Sequence, residues 1–305
     1  MQATRQALSG RRWHFQHGPI DLVIGAEGEA GALQAAHAQA WTRFQSLLGE
    51  LVAELPALRQ PVDTDCPLHG AVARRMWRAC APFARPFITP MAAVAGAVAE
   101  EILAAYARPG VQRAWVNNGG DIALHLTPGQ SVRIGLYADL ARLDARQLRH
   151  GLLLDAELAV AHAMPVRGVA TSGWRGRSHS LGIADSVTVL AATAAQADAA
   201  ATVIANAVDL DHPGIERRPA CSLRDDSDLG ERLVTTGVPP LAPAQIRQAL
   251  GAGLQKAEEL RLAGRIGLAL LCCQGQVLHS TLPEWARPGP VATALPGPEV
   301  GSVFA

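Results

Sequence analysis

Residues 168–206, GVATSGWRGRSHSLGIADSVTVLAATAAQADAAATVIAN, set out a strand, a Thr-Ser-Gly turn, a loop carrying Arg and His, a second strand and a helix. The run SVTVLA at 186–191 reads as a strand, and the Ala-rich run at 194–208 reads as a helix. A chain that interleaves such elements must lay helices against a sheet. The fold class expected is therefore α/β or α+β.

The rest of the chain agrees with that class. Residues 13–25 predict a β-hairpin about Gly18-Pro19. Over 29–55, Leu33, Ala36, Ala40, Phe44, Leu47, Leu48, Leu51 and Leu55 recur at helical spacing, and Pro56 and Pro61 end the run. A shorter helix is expected at 70–80. Thr89 and Pro90 suit the cap and first turn of a helix over 92–107. Ala92, Ala93, Ala95, Gly96, Ala97 and Ala99 make that helix thin, so its backbone can be approached closely by another helix or by a ligand. Strands are expected at 114–116, 122–126, 132–137, 158–161 and 166–170. Residues 210–240 read as a polar loop, 243–260 as a helix, and 266–279 as a hairpin about Gln274-Gly275. Residues 283–305, rich in Pro and Gly and without periodicity, read as a disordered tail.

Composition excludes some function classes. The 27 basic and 27 acidic residues balance, whereas a dedicated nucleic-acid binder carries a basic excess or stripe. No uncharged apolar run reaches the roughly 18 residues of a membrane span, and the basic start lacks an apolar signal core. Cys66, Cys80, Cys221, Cys272 and Cys273 have neither metal-type spacing nor an even count, which suits a reducing cytoplasm. A cytoplasmic location is expected.

Three constellations carry chemistry. Asn117-Asn118-Gly119-Gly120-Asp121 joins two apolar runs. Its glycines allow positive φ, so it is either an ordinary hairpin turn or an anion-binding concavity of backbone N–H groups. Thr171-Ser172-Gly173 precedes Trp174, Arg175, Arg177 and His179. Hydroxyls, amides and guanidinium groups suit phosphate, Trp174 a flat ring, and His179 proton transfer. Asp198 and Thr202, four apart on a helix, offer hard oxygen ligands suited to magnesium and poor for zinc. Each residue taken alone is also explained by packing or solvation. Residues 209–212 and 225–228 read as solvated charge runs. There is no Walker or Rossmann glycine fingerprint.

In this order, Asn117 to Ile122, Thr171 to Gly173, His179 to Asp185, the apolar strand at 186–190 and Ala197 to Thr202, the sequence resembles the ApbE superfamily of FAD:protein FMN transferases. More narrowly, FITPMAAVAGAVAE and TSGWRGRSHSLGIADSVTVLA resemble a bacterial and archaeal branch of it. The resemblance implies an ApbE-like mixed sheet with flanking helices, forming one main domain over residues 1–282. It implies magnesium at Asp198 and Thr202, a flavin nucleotide along Asn118, Gly119, Gly120 and Asp121 and beside Thr171, Ser172, Gly173 and Trp174, and His179 as the active-site histidine. The sequence departs from the superfamily at two places. Residues 93–98 carry neither the Lys nor the Tyr of its Gly-x-Ala-Lys-Gly-Tyr-Ala segment, and the segment after His179 lacks Pro-x-Thr-Gly.

The first expectation is an enzyme that binds FAD or another phosphorylated flat-ring ligand with magnesium. Arg175 and Arg177 would share charge and His179 would move a proton, in flavinyl or phosphoryl transfer or in FAD pyrophosphate hydrolysis. The alternatives are a related enzyme on a non-flavin metabolite, a non-catalytic flavin-binding protein, and an assembly protein that packs through helix 92–107. The partner expected is a small phosphorylated molecule, with neither nucleic acid nor membrane, and a homo-oligomer stays open.

Overall fold

In β4 (Val111–Asn118), Ala114 and Val116 point to one side and Trp115 to the other, and both sides are buried. This two-faced burial is the key to the architecture. The computed structural model describes residues 2–136, 156–176, 178–286 and 299–300. Its centre is a nine-stranded sheet in the order β1-β2-β3-β4-β5-β8-β9-β12-β13. Those strands are β1 (Thr4–Leu8), β2 (Arg12–His17), β3 (Ile20–Gly28), β4, β5 (Asp121–Leu126), β8 (Gly168–Ser172), β9 (Ser186–Ala191), β12 (Leu268–Cys273) and β13 (Gln276–His279). Every neighbouring pair in it is antiparallel.

The helices cover one face. They are α1 (Ala30–Ala53), α2 (Ala71–Cys80), α3 (Val94–Leu103), α4 (Ala194–Ala207) and α5 (Pro243–Leu262). Helix α1 buries Ala36, Ala40, Phe44, Leu47 and Leu51, a single stripe at helical spacing. Helix α4 is buried almost all round through alanines, because it lies between the sheet and α2, α3 and α5. Against the other face, Val132 and Ile134 of β6 (Ser131–Leu136) and Val160 of β7 (Ala156–Ala161) pack on Trp115, Ile122, Leu124, Leu126, Val169 and Leu190. The molecule is an α/β (α+β) protein in three layers: helices, large sheet, small sheet. The large sheet is antiparallel throughout, and among the described residues β6 pairs in parallel with β14 (Glu299–Val300).

Most expected elements are present. The helix expected at 92–107 is built in three pieces: a 3-10 turn at Pro90–Ala93, α3, and a second 3-10 turn at Ala104–Tyr106. The expected loop at 210–240 instead holds β10 (Glu216–Pro219), a helical turn at Ala220–Leu223 and β11 (Leu233–Gly237), with β10 and β11 paired. The charge runs beside it stay exposed at Asp211, Asp225 and Asp226, yet three of their acids find partners. Arg59 pairs with Asp226, Arg217 with Asp209, and the Thr89 hydroxyl bonds Asp228. Of the segment 283–305, the described parts are a 3-10 turn at Glu284–Ala286, whose Trp285 packs on the second core, and β14.

Candidate functional site

The candidate site forms where α3, α4, the β4–β5 turn and the end of β8 meet. Gly119 and Gly120 are the two loop residues between paired Asn118 and Asp121, with φ of 64° and 113°. That is the backbone a tight two-residue hairpin requires. The Gly120 amide donates to Asn117 Oδ1 (2.9 Å), so this amide is engaged within the turn instead of opening toward an anion. A Cβ on Gly120 would meet nothing within 4 Å, so the space above the turn is open. Asn118 Nδ2 donates to the Ala95 carbonyl (3.1 Å), which fastens the turn to the start of α3.

Asp121 turns inward from this hairpin. Its Oδ1 accepts the Thr171 amide (3.1 Å), and the Thr171 and Thr188 hydroxyls lie 2.9 Å apart. Asp198 reaches the same place from α4, and its Oδ2 accepts the Gly96 amide (3.0 Å). Gly96 lies in the first turn of α3, where N–H groups lack helical partners, so Asp198 caps one helix from another. The approach is tight: a Cβ on Gly96 would stand 2.3 Å from the Ala194 carbonyl oxygen. Glu100 secures the other end of the crossing, accepting the Ala195 amide (2.7 Å) and pairing with Arg75 (3.2 Å).

The electrostatics of the two acids are unusual. Burial raises the Asp198 carboxyl to about 7, against the opposing pull of the Gly96 and Ala95 amides. Burial, and next the charge of Asp198, push Asp121 well above the ordinary carboxylate range. Among the described residues no Lys, Arg or His pairs with either acid. Two neighbouring carboxylates in a dry place repel one another, and a cation relieves that.

Thr202 lies one turn beyond Asp198 and Asn206 one turn further, a polar stripe on an otherwise alanine-rich buried helix. Asn206 Oδ1 accepts Ser180 Oγ (3.1 Å) and the Leu181 amide (2.9 Å). Ser180 and Leu181, which follow half-buried His179, are thereby held at Asn206, about 12 Å along the helix axis from Asp198.

The loop after β8 is self-engaged. Gly173 packs on the Asp185 carbonyl, where a Cβ would stand at 2.4 Å, and Ser172 ends β8 beside Val187. Asp185, buried, accepts Arg175 Nε (2.8 Å), Trp174 Nε1 (3.3 Å) and the Gln274 amide. The Arg175 guanidinium stands 4.8 Å from the Trp174 ring centre. These two expected ligand contacts therefore hold each other and Asp185. Arg177 lies outside the described residues.

The structure thus gathers Asn118, Asp121, Thr171 and Asp198 around the start of α3, places Thr202 on the same stripe, and sets Trp174, Arg175 and His179 in the adjoining loop. Sequence reasoning had not singled out Gly96, Glu100, Asp185 or Asn206 as site residues. One signal for Gly96 was present, a glycine inside a helix of small residues.

The donor set fits magnesium. Asp198 and Thr202 supply hard oxygens, and Asp121 adds a neighbouring negative charge. Among the described residues no three His, Cys, Asp or Glu side chains gather as a closed metal cage. Magnesium needs no such cage, since it keeps waters and shares substrate phosphates. The open space over Gly120 leaves room for a ligand at the same end. No helix among the described residues is long and apolar enough to cross a membrane.

The family described as AbpE bacteria matches residues 4–279. A UPF0280 protein of Methanopyrus kandleri is 38% identical over 222 residues, spanning 70% of this chain and 82% of that protein. A UPF0280 protein of Methanosphaerula palustris is 34% identical over 210 residues, 67% of this chain and 79% of its own length. Two solved structures align over 92% of this chain. Pseudomonas stutzeri flavinyl transferase ApbE in its apo form has a TM-score of 0.44 at 15% identity and is covered over 94% of its length. A mutant of the flavin transferase ApbE from Vibrio cholerae has a TM-score of 0.47 at 13% identity and is covered over 98%.

Proposed function

The chain belongs to the AbpE bacteria family, and from that premise we propose that it binds FAD, or another phosphorylated flat-ring ligand, with magnesium at the Asp121–Asp198 end of the cleft. The observation that carries this reading is the pair of buried carboxylates with no cationic partner among the described residues. Asp198 and Thr202 would hold the ion, and the ion, when bound, would neutralise a diphosphate as its bond breaks. Asn118 and Gly96 fix the turn and α3 against α4, so the two acids are pre-positioned. His179, just before Ser180 and Leu181 in the loop, would be the proton carrier for a leaving or entering group. Arg175 steadies Trp174 and the loop through Asp185.

The reaction this supports is transfer of a flavinyl or phosphoryl group, or hydrolysis of the FAD pyrophosphate. Incubation of the purified protein with FAD and magnesium should yield FMN and AMP, or flavin attached to an acceptor. Bound flavin without either product would leave a carrier, and neither binding nor product would sink the reading. A second reading keeps the site and the metal but takes a non-flavin metabolite. It is favoured by residues 93–98, which bring neither Lys nor Tyr to the start of α3. A thermal-shift screen with and without magnesium separates the two, because a ligand that binds only the folded state raises the melting temperature.

A further inference from the structure

The large sheet begins at β1, and among the described residues no strand pairs with its outer edge. Thr4–Leu8 bond to β2 in unbroken register. Alternate residues of such a strand turn their N–H and C=O outward, where another strand can take them. Proteins blunt open edges with Pro, Lys, a bulge or a covering element. The sequence TRQAL has no Pro and no Lys, and Thr4 to Ala7 are exposed. Its one charge is folded back. Arg5 lies opposite Phe15, on the helix side, with its guanidinium 5.1 Å from the Trp41 ring centre and 5.7 Å from that of Trp13.

Helix α1 lies over β2 and β3 and shows two flanks. One carries Arg43, which pairs with Glu101 of α3. The other carries Ala38, Trp41, Gln45, Leu48 and Val52, spaced by three and four, and holds no charge. Trp41 meets Arg5, so this flank overlooks the open edge. Leu48 on it is half-buried and Val52 is 54% exposed. An open strand edge therefore lies beside an uncharged and largely apolar helix flank.

We propose that β1 is the seam of a symmetric dimer, pairing antiparallel with β1 of a second copy about a two-fold axis at Gln6. The occupant is a second copy because the strand complements itself. About that axis Thr4 stands opposite Leu8 of the partner subunit, Arg5 opposite Ala7 of the partner subunit, and Gln6 opposite Gln6 of the partner subunit. No like charges stand directly opposite, and the two axial amides can exchange hydrogen bonds. The other sheet edge, β13, has only four residues, and joining β1 to β13 of the next copy would build an open chain instead of a closed dimer. The two α1 flanks face one another over the seam, with Trp41 and Arg5 of each copy between them. The thin helix α3, which suited assembly in the sequence, is instead taken up by α4 at Gly96. Strands β2 and β3 separate the seam from the β4–β5 turn, so dimer and ligand site are tested separately.

The test is light scattering and sedimentation of the full chain at micromolar concentration, as wild type, Gln6→Lys, Gln6→Glu and an equal mixture of the two variants. Gln6 is exposed, so the melting temperatures of the variants, measured alongside, should show intact folding. The proposal predicts a dimeric wild type. Each variant alone sets like charges against each other on the axis and should dimerise at least tenfold more weakly. The mixture sets Lys against Glu and should restore the dimer. The proposal is overturned if wild type is a monomer or an open polymer, if either charged variant dimerises as wild type does, or if the mixture dimerises no better than its components.

Discussion

Asp198 is held at a cost that a bound cation would offset. Its folded pKa, about 7, exceeds that of an unfolded aspartate, 3.8, so between those values the folded protein binds more protons than the unfolded chain. The metal-free protein should therefore lose stability as pH rises from about 5 to 8, by an amount on the order of a few kcal/mol. Urea denaturation in EDTA at pH 5.5 and pH 8 measures this. Asp198→Asn should flatten the slope and make the metal-free protein more stable at pH 8, and it should abolish stabilisation by magnesium. Stabilisation of the Asn variant by magnesium equal to that of wild type would remove Asp198 from the ion's ligands. The Asp198–Thr202 spacing is visible in the sequence because it is local to one helix. That Asp121 comes beside it is not visible. This contact depends on how β5 and α4 are brought together across 77 residues of chain. Arg175 illustrates the converse. Its type suggested phosphate, but its partner Asp185, ten residues on, decides what the guanidinium does in this structure.

Helices α3 and α4 can cross closely because each presents small residues, and Gly96 is the point of contact. Helix propensity alone predicts that Gly96→Ala stabilises by about 1 kcal/mol. The contact predicts the reverse, since the new methyl would stand 2.3 Å from a backbone oxygen that cannot swing away. The expected outcome is a loss of at least about 2 kcal/mol by urea denaturation, with weaker magnesium binding as Asp198 is pushed from the Gly96 amide. A neutral or stabilising result would show that the helices separate freely there. The thin helix was legible from its alanines, and its choice between a helix and a ligand as neighbour resolves to α4. The β10–β11 excursion was not legible. ERRP and LVTTG are short, carry no sustained alternation, and become strands by pairing with each other and by the bonds of Thr235 to Ser180 and Thr89 to Asp228.

The whole molecule is a sheet that must bury both faces, one under five helices and one in part under a smaller sheet. The interleaved strands and helices made the class readable, whereas strand order rests on pairings between distant segments that no local pattern encodes. The motifs read along the chain come together in space, because the sheet brings the β4–β5 turn and β8 to the same end as the start of α4. The central claim is that this end binds a phosphorylated flat-ring ligand through magnesium at Asp198. Its most direct test is fluorescence titration of FAD into wild-type protein with magnesium, with EDTA, and into Asp198→Asn with magnesium. The account predicts saturable binding in the first case and at least a tenfold loss of affinity in the other two. Equal binding in all three, or none in the first, would contradict it.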